Sequence, residues 1–136
     1  MTTSGEGSGT GTKLLHKELT ENIIGAAIEV HKAIGPGLLE SVYEECLCHE
    51  LTLRGLAFKR QIPVPLIYKG KSLDCNFRLD LVVEDLVLVE LKTVNQILPI
   101  HEAQLLTYMK LMEKRVGLII NFNVSVLKNG ILRRIL

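Results

Sequence analysis

Tryptophan is absent from the 136 residues, and the remaining aromatic side chains are three Tyr and three Phe. So few rings exclude an extended surface that grips bases by stacking along its whole length. Neither sign of charge dominates, with 16 Lys and Arg against 15 Asp and Glu and a formal net charge of +1. Such a chain has no strong long-range field for a polyanion, so any nucleic-acid contact has to be local. Three cysteines, Cys46, Cys48 and Cys75, cannot all pair within one chain, and no charged-then-apolar leader opens the sequence. A reducing, cytoplasmic setting is expected. Missing too is any run near the roughly 18 consecutive apolar residues that a membrane helix needs. A soluble protein with no membrane contact is expected.

What is present is a hydrophobic content of 47% in a chain of one-domain length, enough to fill a core. Residues 1–12 are almost all Gly, Ser and Thr with one Glu. They cannot bury apolar surface and read as a flexible tail or expression remnant, leaving one domain over 13–136.

From Thr20 the pattern is helical. Ile23, Ala27, Val30 and Ile34 recur at steps of four and three, Thr20 can cap the start, and Gly35-Pro36-Gly37 ends the run. A second helix over about Leu38 to Arg54 carries Leu39, Val42, Tyr43, Cys46 and Leu47 on its apolar face, with Gly55 at its end. Phe58 to Tyr68 then reads as a strand, placed at an edge or bulge because Pro63 and Pro65 deny two donors to a ladder. After the Lys69-Gly70-Lys71 turn, Leu73 to Val83 alternates with Phe77, Leu79, Leu81 and Val83 on one side, and Leu86 to Lys92 follows. Pro99 suits the first turn of a helix reaching about Arg115, Val116 to Phe122 is a buried strand, and Ile131 to Ile135 is a last one. The order is ααβββαββ, an α/β protein.

Charges interrupt the most apolar part of this pattern. Asp80 lies late in one expected strand, and Glu90 and Lys92 lie in Val87-Leu88-Val89-Glu90-Leu91-Lys92. Residues two apart on a strand share a face, so Glu90 and Lys92 point together, and a hairpin brings Asp80 alongside. Unpaired charge in a core costs several kcal/mol, roughly, so these groups must satisfy one another, a metal or water. Their hard oxygen atoms suit Mg²⁺ or Mn²⁺, and the ion with a nearby ammonium is equipment for phosphodiester hydrolysis. Register decides whether the set forms. A two-residue Glu84-Asp85 loop would turn Asp80 away from Glu90, whereas a three-residue loop over Glu84, Asp85 and Leu86, or a bulge, sets the two opposite each other. An odd-length turn or bulge is therefore predicted.

Asp80, then Glu90-Leu91-Lys92 beyond a hairpin, then Gln104 and Tyr108 on the next helix resembles the PD-(D/E)XK nuclease superfamily. Within it, Gly37-Leu38-Leu39-Glu40-Ser41-Val42-Tyr43 is similar to the GxxExxY family, over roughly Leu19 to Leu136. Leu79 rather than Pro precedes Asp80, a variation common in that superfamily. The resemblance implies a restriction-endonuclease-like αβββαβ core with a mixed sheet flanked by helices. It implies that Asp80, Glu90 and the Leu91 carbonyl bind Mg²⁺ or Mn²⁺, that Lys92 acts on the attacking water, and that Glu40 approaches the metal. Glu40 also borders the side of its helix that carries Tyr43, Glu44, Leu47 and Leu51. The implied support on the following helix is Gln104, and the implied substrate is DNA or RNA.

Plainer roles stand beside these. Asp80, Glu90 and Lys92 suit a structural ion-pair cluster, Glu40 a carboxylate favoured by its helix dipole, and Gln104 with Tyr108 a mutual hydrogen bond one turn apart. His101 reads first as a boundary residue near a helix start. Cys46-x-Cys48-His49 does not read as a zinc site, since residues two apart on a helix do not face each other. Lys59, Arg60, Lys69, Lys71 and Arg78 gather around the first hairpin, where they suit either phosphate contact or protection of an edge strand. Lys128, Arg133 and Arg134 read as solvated charge. The leading function is a metal-dependent nuclease, against a non-catalytic binding module on the same scaffold or a hydrolase of small phosphoesters. A homodimer or partner protein would complete a groove that so small a chain cannot enclose alone.

Overall fold

The structure is a computed structural model that describes residues 15–136, so the Gly/Ser/Thr-rich stretch 1–12 lies outside it. Two helices open the fold, α1 (Lys17–Ile34) and α2 (Glu40–Leu53). α1 buries Ile23, Ala26, Ala27 and Val30, the stripe that the spacing predicts. It starts before the expected cap. His16 is the N-cap, and Thr20 is buried within the first turns with Oγ1 donating to the Lys17 carbonyl at 3.0 Å. A hydroxyl can bond back along a helix as well as cap it, so residue type alone misplaced the boundary. α2 also differs from expectation, since it buries Tyr43, Glu44, Leu47, Cys48 and Leu51 while Leu39 and Val42 remain exposed. The row of residues four apart through 43, 47 and 51 meets the sheet, and the row through 39 and 42 faces away.

The strands are β1 (Phe58–Pro63), β2 (Leu66–Tyr68), β3 (Lys71–Leu73), β4 (Arg78–Val83), β5 (Val87–Lys92), β6 (Val116–Asn121) and β7 (Ile131–Ile135), with α3 (Pro99–Met112) between β5 and β6. The main sheet has the order β1-β4-β5-β6-β7. Only β5 and β6 are parallel, and α3 supplies the crossover that a parallel pair requires. β1 is an edge strand, as its prolines require. Each of the first two expected strands is broken in two, however. Pro63 and Pro65 end β1, while Asn76 (φ 57) and an Asp74 carboxylate that accepts the Asn76 N–H at 3.1 Å interrupt the approach to β4. The tip between these breaks, β2 with β3, forms its own ladder. α3 has Pro99 in its first turn, as expected, but stops at Met112. Glu113 takes a left-handed conformation (φ 57), and the Lys114 N–H returns to the Met109 carbonyl at 2.9 Å.

α1 and α2 cover one face of the sheet, with Leu81, Val83, Val87, Val89, Leu91, Leu118 and Ile120 beneath them. α3 covers the other, packing Leu105, Tyr108 and Met109 on Leu79, Val82, Leu88 and Ile119. It rides close to β6, because a Cβ at Gly117 would lie 2.7 Å from Met109 Sδ and 2.9 Å from Leu105 Cδ1. The sequence α2-β1-β4-β5-α3-β6 is the expected αβββαβ core, a mixed sheet flanked by helices.

Candidate metal centre

The β4–β5 turn has the odd length that the site needs. Val83 pairs with Val87, so three residues, Glu84, Asp85 and Leu86, form the loop, and the Leu86 N–H closes it on the Val83 carbonyl at 3.0 Å. Glu84 and Asp85 both take positive φ, 54° and 56°. Glu84 is held there by Ala57, donating its N–H to the Ala57 carbonyl at 2.8 Å and accepting the Ala57 N–H on Oε2 at 2.6 Å. From Val83↔Val87 the register runs through Val82↔Leu88 to Leu81↔Val89, and the next position sets Asp80 against Glu90.

At that position side chains replace the ladder. The Asp80 N–H donates to Glu90 Oε1 at 3.0 Å, and the Leu91 N–H donates to Asp80 Oδ2 at 2.8 Å. The alternation of β4 reverses at the same point, since Leu81 and Val83 pack toward α1 and α2 but Leu79 packs toward α3. On β1, Phe58 and Ile62 divide between the two faces in the same way, around Gln61 at φ 49. The expectation that Phe77, Leu79, Leu81 and Val83 share one side therefore fails. A left-handed residue opposite Asp80 turns the pleat over, and alternation counted along one strand cannot register it.

Gln61 also joins the acidic cluster, donating from Nε2 to Glu44 Oε1 at 2.8 Å and to Asp80 Oδ1 at 3.3 Å. Glu44 is buried on α2 and accepts Arg60 Nε and Nη2 on Oε2 at 3.1 and 3.0 Å. Neither Glu44 nor Gln61 was singled out from sequence as a site residue. Glu44 left a signal, an acid among buried positions of α2. Gln61 left none, because only the β1–β4 register brings it to Asp80.

Burial pushes the Glu90 carboxyl up to about 8, and the negative Asp80 beside it adds to the push. Burial likewise raises Asp80, opposed by the Leu91 N–H, while burial and then Asp80 raise Glu40 at the first turn of α2. Lys92 lies two residues after Glu90 on β5, on the same face of the strand, and its positive charge opposes the shift of all three. Asp80, Glu90, Glu40 and Lys92 thus form one electrostatic unit. Tyr108 borders it, its hydroxyl raised by burial and then by Glu90. Gln104 donates to the Tyr108 hydroxyl at 3.0 Å, the one-turn pair anticipated from spacing. Tyr43 lies on α2, three residues after Glu40. Fully buried, it stacks on Phe122 at 4.3 Å and donates to the Gly35 carbonyl at 2.5 Å, fixing the turn before Glu40. His101 Nδ1 accepts the Leu98 N–H at 2.9 Å and caps α3.

Among the described residues no three His, Cys, Asp or Glu side chains already converge as a metal cage. Asp80 and Glu90 direct oxygen atoms to backbone N–H groups, yet a carboxylate has lone pairs for a cation as well. An all-oxygen, acidic donor set, buried at Glu90, half-buried at Asp80 and exposed at Glu40, fits a hard divalent ion. The basic group expected around the first hairpin is divided. Arg60 is bound by Glu44 and Glu45, and Lys59 lines a hollow with Glu84 and Asp85 at the turn end of β4. Arg133 and Arg134, expected as solvated charge, are half-buried, with Arg134 bonded to Glu102 and Arg133 donating to the Leu15 carbonyl at 2.6 Å. The cysteines are free, and burial raises the Cys48 thiol to about 11. No helix among the described residues is long and apolar enough to cross a membrane.

Comparison with known proteins yields no match among curated proteins or solved structures. A family model described as the PD-(D/E)XK nuclease superfamily matches residues 17–135, which take in all three helices, the whole sheet and every residue of the acidic centre. The chain belongs to the PD-(D/E)XK nuclease superfamily.

Proposed function

We propose that this protein is a divalent-metal-dependent nuclease that hydrolyses phosphodiester bonds of DNA or RNA, with Mg²⁺ or Mn²⁺ as its ion. The observation that supports it most is Asp80 opposite Glu90 at the end of the β4–β5 ladder, where a buried carboxyl sits beside a second one at the cost of regular pairing. Asp80, Glu90, the Leu91 carbonyl and Glu40 would hold the ion. When bound, it polarises a phosphoryl oxygen and lowers the pKa of a water ligand. Lys92 would orient the attacking water or stabilise negative charge developing on phosphate. Gln61 bonds Asp80 from β1 and is itself held by Glu44 of α2, which Arg60 neutralises, while Gln104 and Tyr108 border Glu90 from α3. Within the superfamily we assign the chain to the GxxExxY family. Gly37 (φ 97) lies in the turn, Glu40 opens α2, and Tyr43 ties that turn to the helix.

A second reading, a non-catalytic binding module, draws on the backbone N–H bonds that already satisfy part of each carboxylate. Calorimetry with Mn²⁺ separates the two. Wild type binds and Asp80→Ala does not under the nuclease reading, whereas binding by neither favours the module. Against a mixed pool of single- and double-stranded DNA and RNA, Lys92→Ala should keep the metal and lose cleavage.

A further inference from the structure

β2 and β3 pair only with each other, Leu66 with Leu73, Ile67 with Ser72 and Tyr68 with Lys71, around Lys69-Gly70. An isolated two-stranded hairpin is marginal in water. This one also leaves Ile67 and Tyr68 67% and 60% exposed. It leaves the sheet through a short neck, where Pro63 pairs with Arg78 and the Val64 N–H donates to the Phe77 carbonyl at 2.9 Å. Gln61 and Asp80 lie two residues from that neck on either strand. The neck of the hairpin therefore stands beside the acidic centre, and its tip extends away from the sheet edge.

Its charge is cationic. Lys69 lies over the Tyr68 ring with Nζ 5.5 Å from the centroid, Lys71 is the cross-strand partner of Tyr68, and Arg78 is exposed at the neck. The acid nearest in sequence, Asp74, accepts the Asn76 N–H within its own turn. An apolar hollow between α1 and α2 carries Glu29, Glu45 and Glu50 and has the wrong sign for a polyanion.

We propose that the β2–β3 hairpin is a substrate arm that binds single-stranded nucleic acid, with Tyr68 stacking on an unpaired base and Lys69 and Lys71 meeting the flanking phosphates. The inference rests on the nuclease reading and adds the form of the substrate to it. An exposed ring takes a base face only where the base is free of its neighbours, and in a duplex those faces are covered. Two lysines beside the ring supply the local attraction that a net charge of +1 cannot supply at long range.

The test uses a fluorescein-labelled, mixed-sequence single strand and its duplex in anisotropy titrations, with Mn²⁺ calorimetry on the same full-length proteins. Wild type should prefer the single strand. Tyr68→Ala should weaken that binding roughly ten-fold. Lys69→Ala with Lys71→Ala should flatten the slope of log affinity against log salt by about 1.4. All variants should bind Mn²⁺ as wild type does. Wild-type binding that is unchanged in slope and affinity by either substitution overturns the arm while leaving the nuclease standing, and assigns Ile67 and Tyr68 to a protein partner. Equal loss on single strand and duplex overturns the strand preference. Absence of both Mn²⁺ and nucleic-acid binding in wild type removes the nuclease reading, and the arm falls with it.

Discussion

Asp80 and Glu90 are coupled through each other's strand. The Asp80 N–H is held by the Glu90 carboxylate, and Asp80 in turn holds the N–H of Leu91, the residue after Glu90. The two acids thus take the place of regular pairing at the end of an otherwise apolar ladder. Neither can be moved without disturbing the backbone beneath the other. A site built this way is rigid at its base, which suits precise placement of charge.

The carboxyl of Glu90 should make stability depend on pH. Its value in the folded state, about 8, exceeds the unfolded value of 4.5. The neutral form is favoured by folding, so its contribution is full below about 4.5 and lost as pH rises through about 8. Glu90→Gln should therefore gain on wild type by up to a few kcal/mol at pH 8 and gain little at pH 4.5. Urea titrations without metal across that window measure the difference, and a gap that stays constant with pH refutes the assignment.

Metal binding should show the same proton from the other side. A cation needs the carboxylate, so Mn²⁺ affinity should climb with pH by up to ten-fold per unit, roughly, and level off near the folded value of Glu90. Calorimetry in buffers of different ionisation enthalpy would register proton release near neutral pH. A flat profile between pH 6 and 8, on the order of the window named, argues against Glu90 as a ligand.

Gln61 combines a left-handed backbone, φ 49, with a bridge between Glu44 and Asp80. Gln61→Gly should lose the bridge but relieve the backbone, whereas Gln61→Ala loses the bridge and keeps the strain. Ala should be the less stable by about 1 kcal/mol. Equal melting transitions for the two would show that the backbone there is unstrained.

Arg60 is the cation that Glu44 depends on. Arg60→Ala leaves a buried carboxylate with Gln61 as its remaining partner, and a loss of about 1–3 kcal/mol is expected, below that for a fully buried pair because Arg60 is partly exposed. Restoring stability with Glu44→Gln in the same chain would confirm that the cost is the orphaned charge.

Tyr43→Phe should cost about 1 kcal/mol through the lost hydrogen bond to Gly35 and leave Mn²⁺ binding as it was. A change in metal affinity would show instead that the turn before α2 sets the position of Glu40.

Local pattern was sufficient for much of this fold. The three-and-four spacing of α1, Pro99 at the start of α3, the apolar run of β6 and the short β7 are each set by a periodicity or a residue that acts over one or two turns. The acids misplaced in an apolar strand likewise marked Asp80 and Glu90, because charge without a partner is costly wherever the strand is buried. Whether they meet was a matter of one residue in a turn, and sequence could state only the condition. Tertiary structure met it, through Ala57 clasping Glu84 and holding the three-residue loop. It also decided what no local pattern contains, namely the reversal of the pleat at Gln61 and Asp80, the capture of Arg60 by Glu44, and the separation of β2 and β3 from the sheet. Each depends on groups far apart in the chain, and their energies exist only once the strands are in register.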